Sequence, residues 1–169
     1  LGLGSNLGDR AEYLARAIDE IRALPGTEVI AISAAVDSDP VGKIDQPNFL
    51  NLCLAISCAY NPDELIVRTL EIEQRLGRIR TSEQNNPRTL DIDLLFDEKG
   101  AWVSPTVTLP HPRWKIRGFV VIPLGNLLQD PALACRPAWG SLAKEVGALS
   151  IGGQGLRAWQ GPTPWSKTP

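Results

Sequence analysis

No stretch of this chain approaches the roughly 20 consecutive apolar residues a membrane-spanning helix needs. Nothing at its start has the basic-then-apolar layout of a signal peptide. The sequence begins at Leu1, without methionine and inside an apparent strand. Charge of one sign is not in excess: 17 Lys and Arg face 19 Asp and Glu, a net charge of −2, which argues against broad nucleic-acid binding. Cysteine is scarce and odd in number, with three in all. Cys53 and Cys58 lie in an apolar strand pattern without metal-ligand spacing, and read as reduced core residues of a cytoplasmic protein. Histidine occurs once, at His111, and no internal repeat is visible. What is there is 169 residues, 43% hydrophobic and 21% charged, which suits one domain able to bury a core.

The hydrophobic periodicity orders this core. A strand ends near Leu3, and a loop covers 4–9. A helix is predicted over 10–24, with Asp9 and Glu12 as a capping pair and Leu14, Ala17, Ile18, Ile21 and Leu24 as its apolar stripe. A strand over 29–35, a loop over 39–47 and a long strand over 49–60 follow. A second helix starts at Asn61-Pro62-Asp63-Glu64, where Asn61 caps, Pro62 takes the first helical position and Glu64 completes a capping box. Leu65, Ile72 and Leu76 mark its buried side, and Gly77 ends it. A polar loop over 78–87, a strand around 90–94, a short strand over 106–109, a partly helical 117–128 and a helix over 142–146 complete the pattern. Beyond Gly152 the residues are rich in Gly, Pro and Trp and read as a tail. Adjacent strand pairs mixed with helices favour an α+β fold with a largely antiparallel sheet.

Chemistry concentrates in Pro87-Arg88-Thr89-Leu90-Asp91-Ile92-Asp93-Leu94. Polar and apolar residues alternate, so Leu90, Ile92 and Leu94 share one face and Asp91 and Asp93 the other, about 6.6 Å apart along the strand. Two adjacent carboxylates repel unless a cation or proton lies between them. Three readings stand: a solvated sheet face, a metal site for a sugar nucleotide, or a two-magnesium site for phosphoryl transfer. Arg78, Arg80 and Arg88 nearby favour the third. His111 sits between two prolines and ahead of the cationic Arg113, Lys115 and Arg117, which points towards phosphate. Asn51 lies opposite the Leu50, Leu52 and Leu54 face and offers both donor and acceptor to a heterocycle edge. The glycines of Gly2-Leu3-Gly4-Ser5-Asn6-Leu7-Gly8 are misspaced for a dinucleotide-binding loop, and the connection between the second and third strands lacks a helical crossover. That loop is either a tight structural turn or a ligand neighbour.

In combination, several segments resemble the 6-hydroxymethyl-7,8-dihydropterin pyrophosphokinase family. They are Leu3 to Asp9, Asp45-Gln46-Pro47-Asn48-Phe49-Leu50-Asn51, Gly77-Arg78-Ile79-Arg80, Pro87 to Leu94, and Leu109-Pro110-His111-Pro112-Arg113 with Arg117-Gly118-Phe119. The resemblance implies a ferredoxin-like α+β fold over residues 1–150, followed by a tail over 151–169. It implies an ATP-dependent step of folate biosynthesis, in which pyrophosphate passes from ATP to the pterin hydroxymethyl group and AMP leaves. By the same resemblance Asp91 and Asp93 would hold two magnesium ions. Arg78 and Arg88 would be catalytic loop arginines that meet the phosphates. Glu73, Arg80, Thr108, His111 and Arg117 would bind ATP. Ser38, Val41, Phe49, Asn51 and Phe119 would line the pterin pocket, with the two phenyl rings sandwiching the bicycle. Asn85 stands where family members often carry tryptophan, and Val36-Asp37-Ser38 where they often carry Tyr-x-Thr. The partners implied are ATP and the pterin, with no nucleic acid or membrane, and other folate enzymes if the chain is part of a fusion. Two rivals differ in observable ways. A nucleotidyl transferase or cyclase would release pyrophosphate, and a non-catalytic binding module would bind without magnesium.

Overall fold

Asp9 starts the first helix because its carboxylate accepts the N–H of Glu12 at 3.0 Å, filling one of the amide donors that a helix start leaves open. From there Leu14, Ala17, Ile18 and Ile21 recur at helical spacing and are all 0% exposed. The computed structural model describes residues 1–42, 45–79, 86–151 and 155–166. In it β1 (Gly2–Ser5) leads into α1 (Arg10–Arg22). Then come β2 (Thr27–Ile32), β3 (Val36–Ser38), β4 (Phe49–Cys58) and α2 (Pro62–Arg75). The α2 capping box is complete: Asn61 and Glu64 each accept the other's backbone N–H. Gly77 ends the turn at φ 83°, the left-handed conformation that favours glycine.

Leu3, Leu50, Leu52, Leu54, Leu90 and Ile92 form the sheet face that packs on α1 and α2. Strands β1 and β4 run antiparallel, with Leu3 opposite Leu52 and Gly4 opposite Asn51. β5 (Asp91–Asp93) joins the outer edge of β1, placing Asp91 opposite Gly4 and Asp93 opposite Gly2. The long β4 is shared on its other edge, where β3 takes its first half and β2 its second. The strand expected over 29–35 is β2, which ends at Ile32, and β3 is a further strand just beyond the expected bounds. The sheet pairing shifts register between Val29 and Ala31, and the Ser33 hydroxyl takes the N–H of Cys53 at 2.8 Å where the ladder breaks.

Residues 118–148 cover the opposite sheet face. β6 (Trp102–Val103) and β7 (Thr108–Leu109) make a separate hairpin. α3 (Gly118–Leu127), α4 (Pro131–Ala134) and α5 (Pro137–Ala148) bury Val120, Val121, Leu124 and Val146 against Cys53 and Leu95. Burial pushes the Cys53 thiol up to about 12, so it is inert packing. The helix expected over 142–146 is longer because Pro137 sets its start. The segment read as a tail contributes β8 (Leu156–Ala158), an edge strand on β3. Every pairing among the described strands is antiparallel. The fold is the ferredoxin-like α+β architecture, and no described helix is long and apolar enough to cross a membrane.

Candidate active site

Strand register assembles the site. Asp91, Gly4, Asn51 and Val36 are consecutive partners across β5, β1, β4 and β3, so their side-chain positions form one row on one face. Ser38 lies opposite Phe49 on that same face. Asp93 and Gly2 form the next row. Asp91 and Asn51 are therefore two strand spacings apart, about 9.6 Å, with only glycine between them. A Cβ on Gly4 would lie 2.8 Å from the Asn51 Oδ1, so the absence of a side chain lets the amide lie across the floor. Asn51 is held there by donating to the Ser38 hydroxyl at 2.9 Å, and both are buried.

The carboxylates are wrapped in guanidinium groups. Arg78 bridges the Asp91 carboxylate and Glu73, the latter at 2.5 Å. Arg88 Nη1 lies 3.1 Å from Asp91 Oδ2, and Arg117 Nη1 donates to Asp93 Oδ2 at 2.5 Å. Three carboxylates, Asp91, Asp93 and Glu73, thus face three guanidinium groups, and a cation at the aspartates would free these arginines for an incoming polyphosphate. The Nε of Arg88 is buried and has no acceptor among the described residues. That donor is open to an oxygen of ligand or water. Arg88 also lies over the Phe49 ring at 5.4 Å and Arg117 over Phe119 at 5.7 Å, which ties the cationic layer to the two phenyl rings.

Glu73, expected on ATP, is 1% exposed. Its carboxylate reaches the edge of β5 from α2, accepting the N–H of Ile92 at 2.8 Å while gripping Arg78. The structure thus places it behind the carboxylate strand. His111 follows the β7 strand. Its backbone N–H donates to the carbonyl of Leu95 at 2.9 Å, and its Nδ1 accepts the N–H of Arg113 at 3.1 Å. That bond leaves the proton of the neutral ring on Nε2. Burial pushes the His111 pKa below its ordinary value, while Asp93 pulls the other way. Thr108 is exposed on the separate hairpin, and Val41 is 60% exposed, so neither is enclosed with the others. Arg80 and Asn85 lie outside the described residues.

Asn6 is a residue that sequence reasoning passed over. It is 1% exposed, accepts the N–H of Arg88 at 2.7 Å and donates to Gln46 and to the carbonyl of Pro47 at 3.1 Å each. One side chain thereby sets the spacing between the arginine side and the Phe49 side. Its position in the glycine-rich loop was the available signal. That loop is therefore more than a turn.

The donor chemistry fits a hard divalent cation. Magnesium commonly takes one or two carboxylates and completes its shell with water and phosphate. Asp91 and Asp93 supply two such groups on one face. Among the described residues no cluster of three acidic, histidine or cysteine side chains exists to make an all-protein cage. The cavity of about 330 Å³ between β4, α3 and α5 is lined by Leu54, Ile56, Leu94, Leu124 and Leu127, and contains none of these polar residues.

Residues 1–129 match the family model for 7,8-dihydro-6-hydroxymethylpterin-pyrophosphokinase. The 2-amino-4-hydroxy-6-hydroxymethyldihydropteridine pyrophosphokinase of Methylorubrum extorquens is 41% identical over 145 residues, covering 85% of this chain and 90% of the relative. The Bacillus subtilis protein of the same name is 34% identical over 160 residues, covering 95% and 89%. The folic acid synthesis protein fol1 of Pneumocystis carinii is 32% identical over 130 residues, covering 77% of this chain and 17% of that protein.

Proposed function

Since the chain belongs to the 7,8-dihydro-6-hydroxymethylpterin-pyrophosphokinase family, we propose that the Asp91/Asp93 cleft is where its reaction runs. The chain is an enzyme of folate biosynthesis that transfers pyrophosphate from ATP to 6-hydroxymethyl-7,8-dihydropterin and releases AMP. One observation carries the assignment of the site: two adjacent carboxylates under three arginines, with a buried amide in the Asp91 row and a phenyl ring in the next row along β4.

In the proposed mechanism Asp91 and Asp93 would hold two magnesium ions, which would neutralise triphosphate charge. As the nucleotide arrives, Arg78, Arg88 and Arg117 exchange their carboxylate partners for phosphate oxygens. Arg80, Thr108 and His111, through its Nε2–H, add further nucleotide contacts. Glu73 acts from behind by aiming Arg78. On the other side Asn51 and Ser38 read the pterin edge, Phe49 and Phe119 stack on its faces, and Val41 closes the outer wall. This places the pterin hydroxyl over Gly4, in line with the β-phosphorus. The hydroxyl oxygen bonds to that phosphorus, the bridging bond to the α-phosphate breaks, and AMP leaves with the bridging oxygen. The hydroxyl proton passes to solvent. The arginines stabilise charge on the leaving and transferred groups. Cys53, Cys58 and Cys135 are free, which fits a reducing compartment, and we place the enzyme in the cytoplasm.

Arg88→Ala tests the phosphate side. We expect kcat to fall about 100-fold or more, because one charge-stabilising donor is lost, with pterin affinity changed far less. An effect confined to pterin affinity in steady-state kinetics contradicts the role. Gly4→Ala tests the pterin side. The added Cβ must push the Asn51 amide off its Ser38 bond, and pterin binding should weaken about tenfold, or about 1.4 kcal/mol. Unchanged pterin affinity by fluorescence titration would remove Asn51 from recognition.

A further inference from the structure

The C-terminal segment lies beyond the residues that the family model matches, yet it is built into the wall of the cleft. β8 pairs with β3 residue for residue, with Ser38 opposite Leu156, Asp37 opposite Arg157 and Val36 opposite Ala158. The ladder continues outward, since the N–H of Asp39 donates to the carbonyl of Gly155 at 3.3 Å and that of Trp159 to Ala35 at 3.2 Å. Trp165 anchors the far end, 6% exposed in the core beside α1.

Side chains join this strap to the loop that leads into Phe49 and Asn51. Arg157 Nη2 donates to Asp37 at 2.9 Å and to Asp39 at 2.6 Å. Asp37 also accepts from Arg10 at 2.8 Å and from the Asn48 amide at 3.1 Å. Arg10 donates in addition to the carbonyl of Asn48 at 2.9 Å, and its guanidinium lies over Trp159 at 5.2 Å. Desolvation works against the charge of Asp37, but the bonds from Arg10 and Arg157 outweigh it and hold its carboxyl below the ordinary value. One ionised carboxylate therefore joins the strap, α1 and the residue just before Phe49. The other face of the same short strand presents Ser38 to Asn51.

We propose that residues 155–165 form a strap that positions β3 and Asn48 for pterin recognition, with Arg157 as its positioning residue. This rests on the reading of Ser38, Phe49 and Asn51 as the pterin side. A three-residue strand such as β3 has little stability of its own. Without a partner on its outer edge, Ser38 has only β4 to fix it. On the ATP side, Arg78 pairs with Glu73 and Asp91 and Arg117 with Asp93, and these partners lie outside the strap.

The experiment compares the full chain with Arg157→Ala, Arg157→Lys and Gly155→Ala. Gly155 has φ 54°, and a Cβ there would lie 1.8 Å from Asp39 Oδ2, so alanine forces Asp39 aside without altering any residue of the cleft. Pterin affinity is measured by fluorescence titration with magnesium and an ATP analogue blocked between the α- and β-phosphates. Analogue affinity and melting temperature are measured alongside. Arg157→Ala should weaken pterin binding about threefold, as befits a largely exposed pair, and Gly155→Ala about tenfold, as befits a displaced backbone turn. Analogue affinity should stay within about twofold in both, and Arg157→Lys should recover most of the loss. If the parent binds pterin and the variants bind it equally well, the strap proposal falls alone. Equal loss of pterin and analogue binding, tracking a lower melting temperature, overturns it in favour of a purely structural role. If the parent itself binds no pterin, the pterin reading falls and takes the strap's role with it.

Discussion

Asp93→Asn should abolish AMP release and leave the protein folded. The substitution keeps the shape and removes the charge. Asp93 is 31% exposed and its pairing with Arg117 is partly solvated, so the stability change should stay within about 1 kcal/mol. A chain of this size then shifts its melting temperature by roughly 2–4 °C. Activity has no such cushion. The neutral amide no longer offers a magnesium ion a full charge, and Arg117 loses the anion that holds it at the cleft. Turnover should fall by about three orders of magnitude, with pterin affinity nearly intact because Asn51, Ser38 and Phe49 are untouched. Undiminished turnover in the folded variant would remove Asp93 from the site.

Glu73→Ala should do the reverse and hit stability first. The Glu73 side chain is 2% exposed and that of Arg78 13%, so the pair is largely dry. Deleting the carboxylate leaves a buried guanidinium with Asp91 as its one ion-pair partner among the described residues and strips the N–H of Ile92 of its acceptor. Breaking one side of such a pair costs about 3 kcal/mol, which lowers the melting temperature by about 6–12 °C. The surviving enzyme should have lowered kcat, because Arg78 is no longer aimed. Glu73→Gln keeps an acceptor for Ile92 and should recover part of the stability without restoring the ion pair. A variant with unchanged melting temperature and a raised ATP KM would instead return Glu73 to direct nucleotide contact.

Sequence pattern revealed the helices well because their signals are local. Asp9, Asn61, Pro62 and Gly77 act within one turn of where they stand, and the buried stripe of α1 follows directly from spacing. Strand partnership is not local. β3 has three residues and no alternation long enough to notice, so the strand read over 29–35 captures β2 and stops short of β3, which only its pairing with β4 reveals. β8 was hidden for a different reason. Gly, Pro and Trp mark its neighbourhood as a tail, and only the open edge of β3 gives Leu156–Ala158 a strand to join.

The site divides in the same way. Asp91 and Asp93 stand out because alternation alone puts them on one face, and Arg78 and Arg88 because charge clusters beside them. The residues that organise them were harder to see. Asn6 matters through bonds to positions some 40 and 82 residues away, and Asp37 through a partner 120 residues on. Glu73 sits in a helix whose periodicity gives no hint that its carboxylate turns under the sheet edge. Long-range polar bonds of this kind follow from topology, which motif spacing does not encode.

The most direct measurement is the identity of the leaving nucleotide when the protein is incubated with ATP, 6-hydroxymethyl-7,8-dihydropterin and varied magnesium. The account predicts AMP and pterin pyrophosphate in equal amounts, rising from zero with magnesium and absent in Asp93→Asn. Release of inorganic pyrophosphate or ADP in place of AMP, or AMP formation indifferent to magnesium and to Asp93, would contradict it.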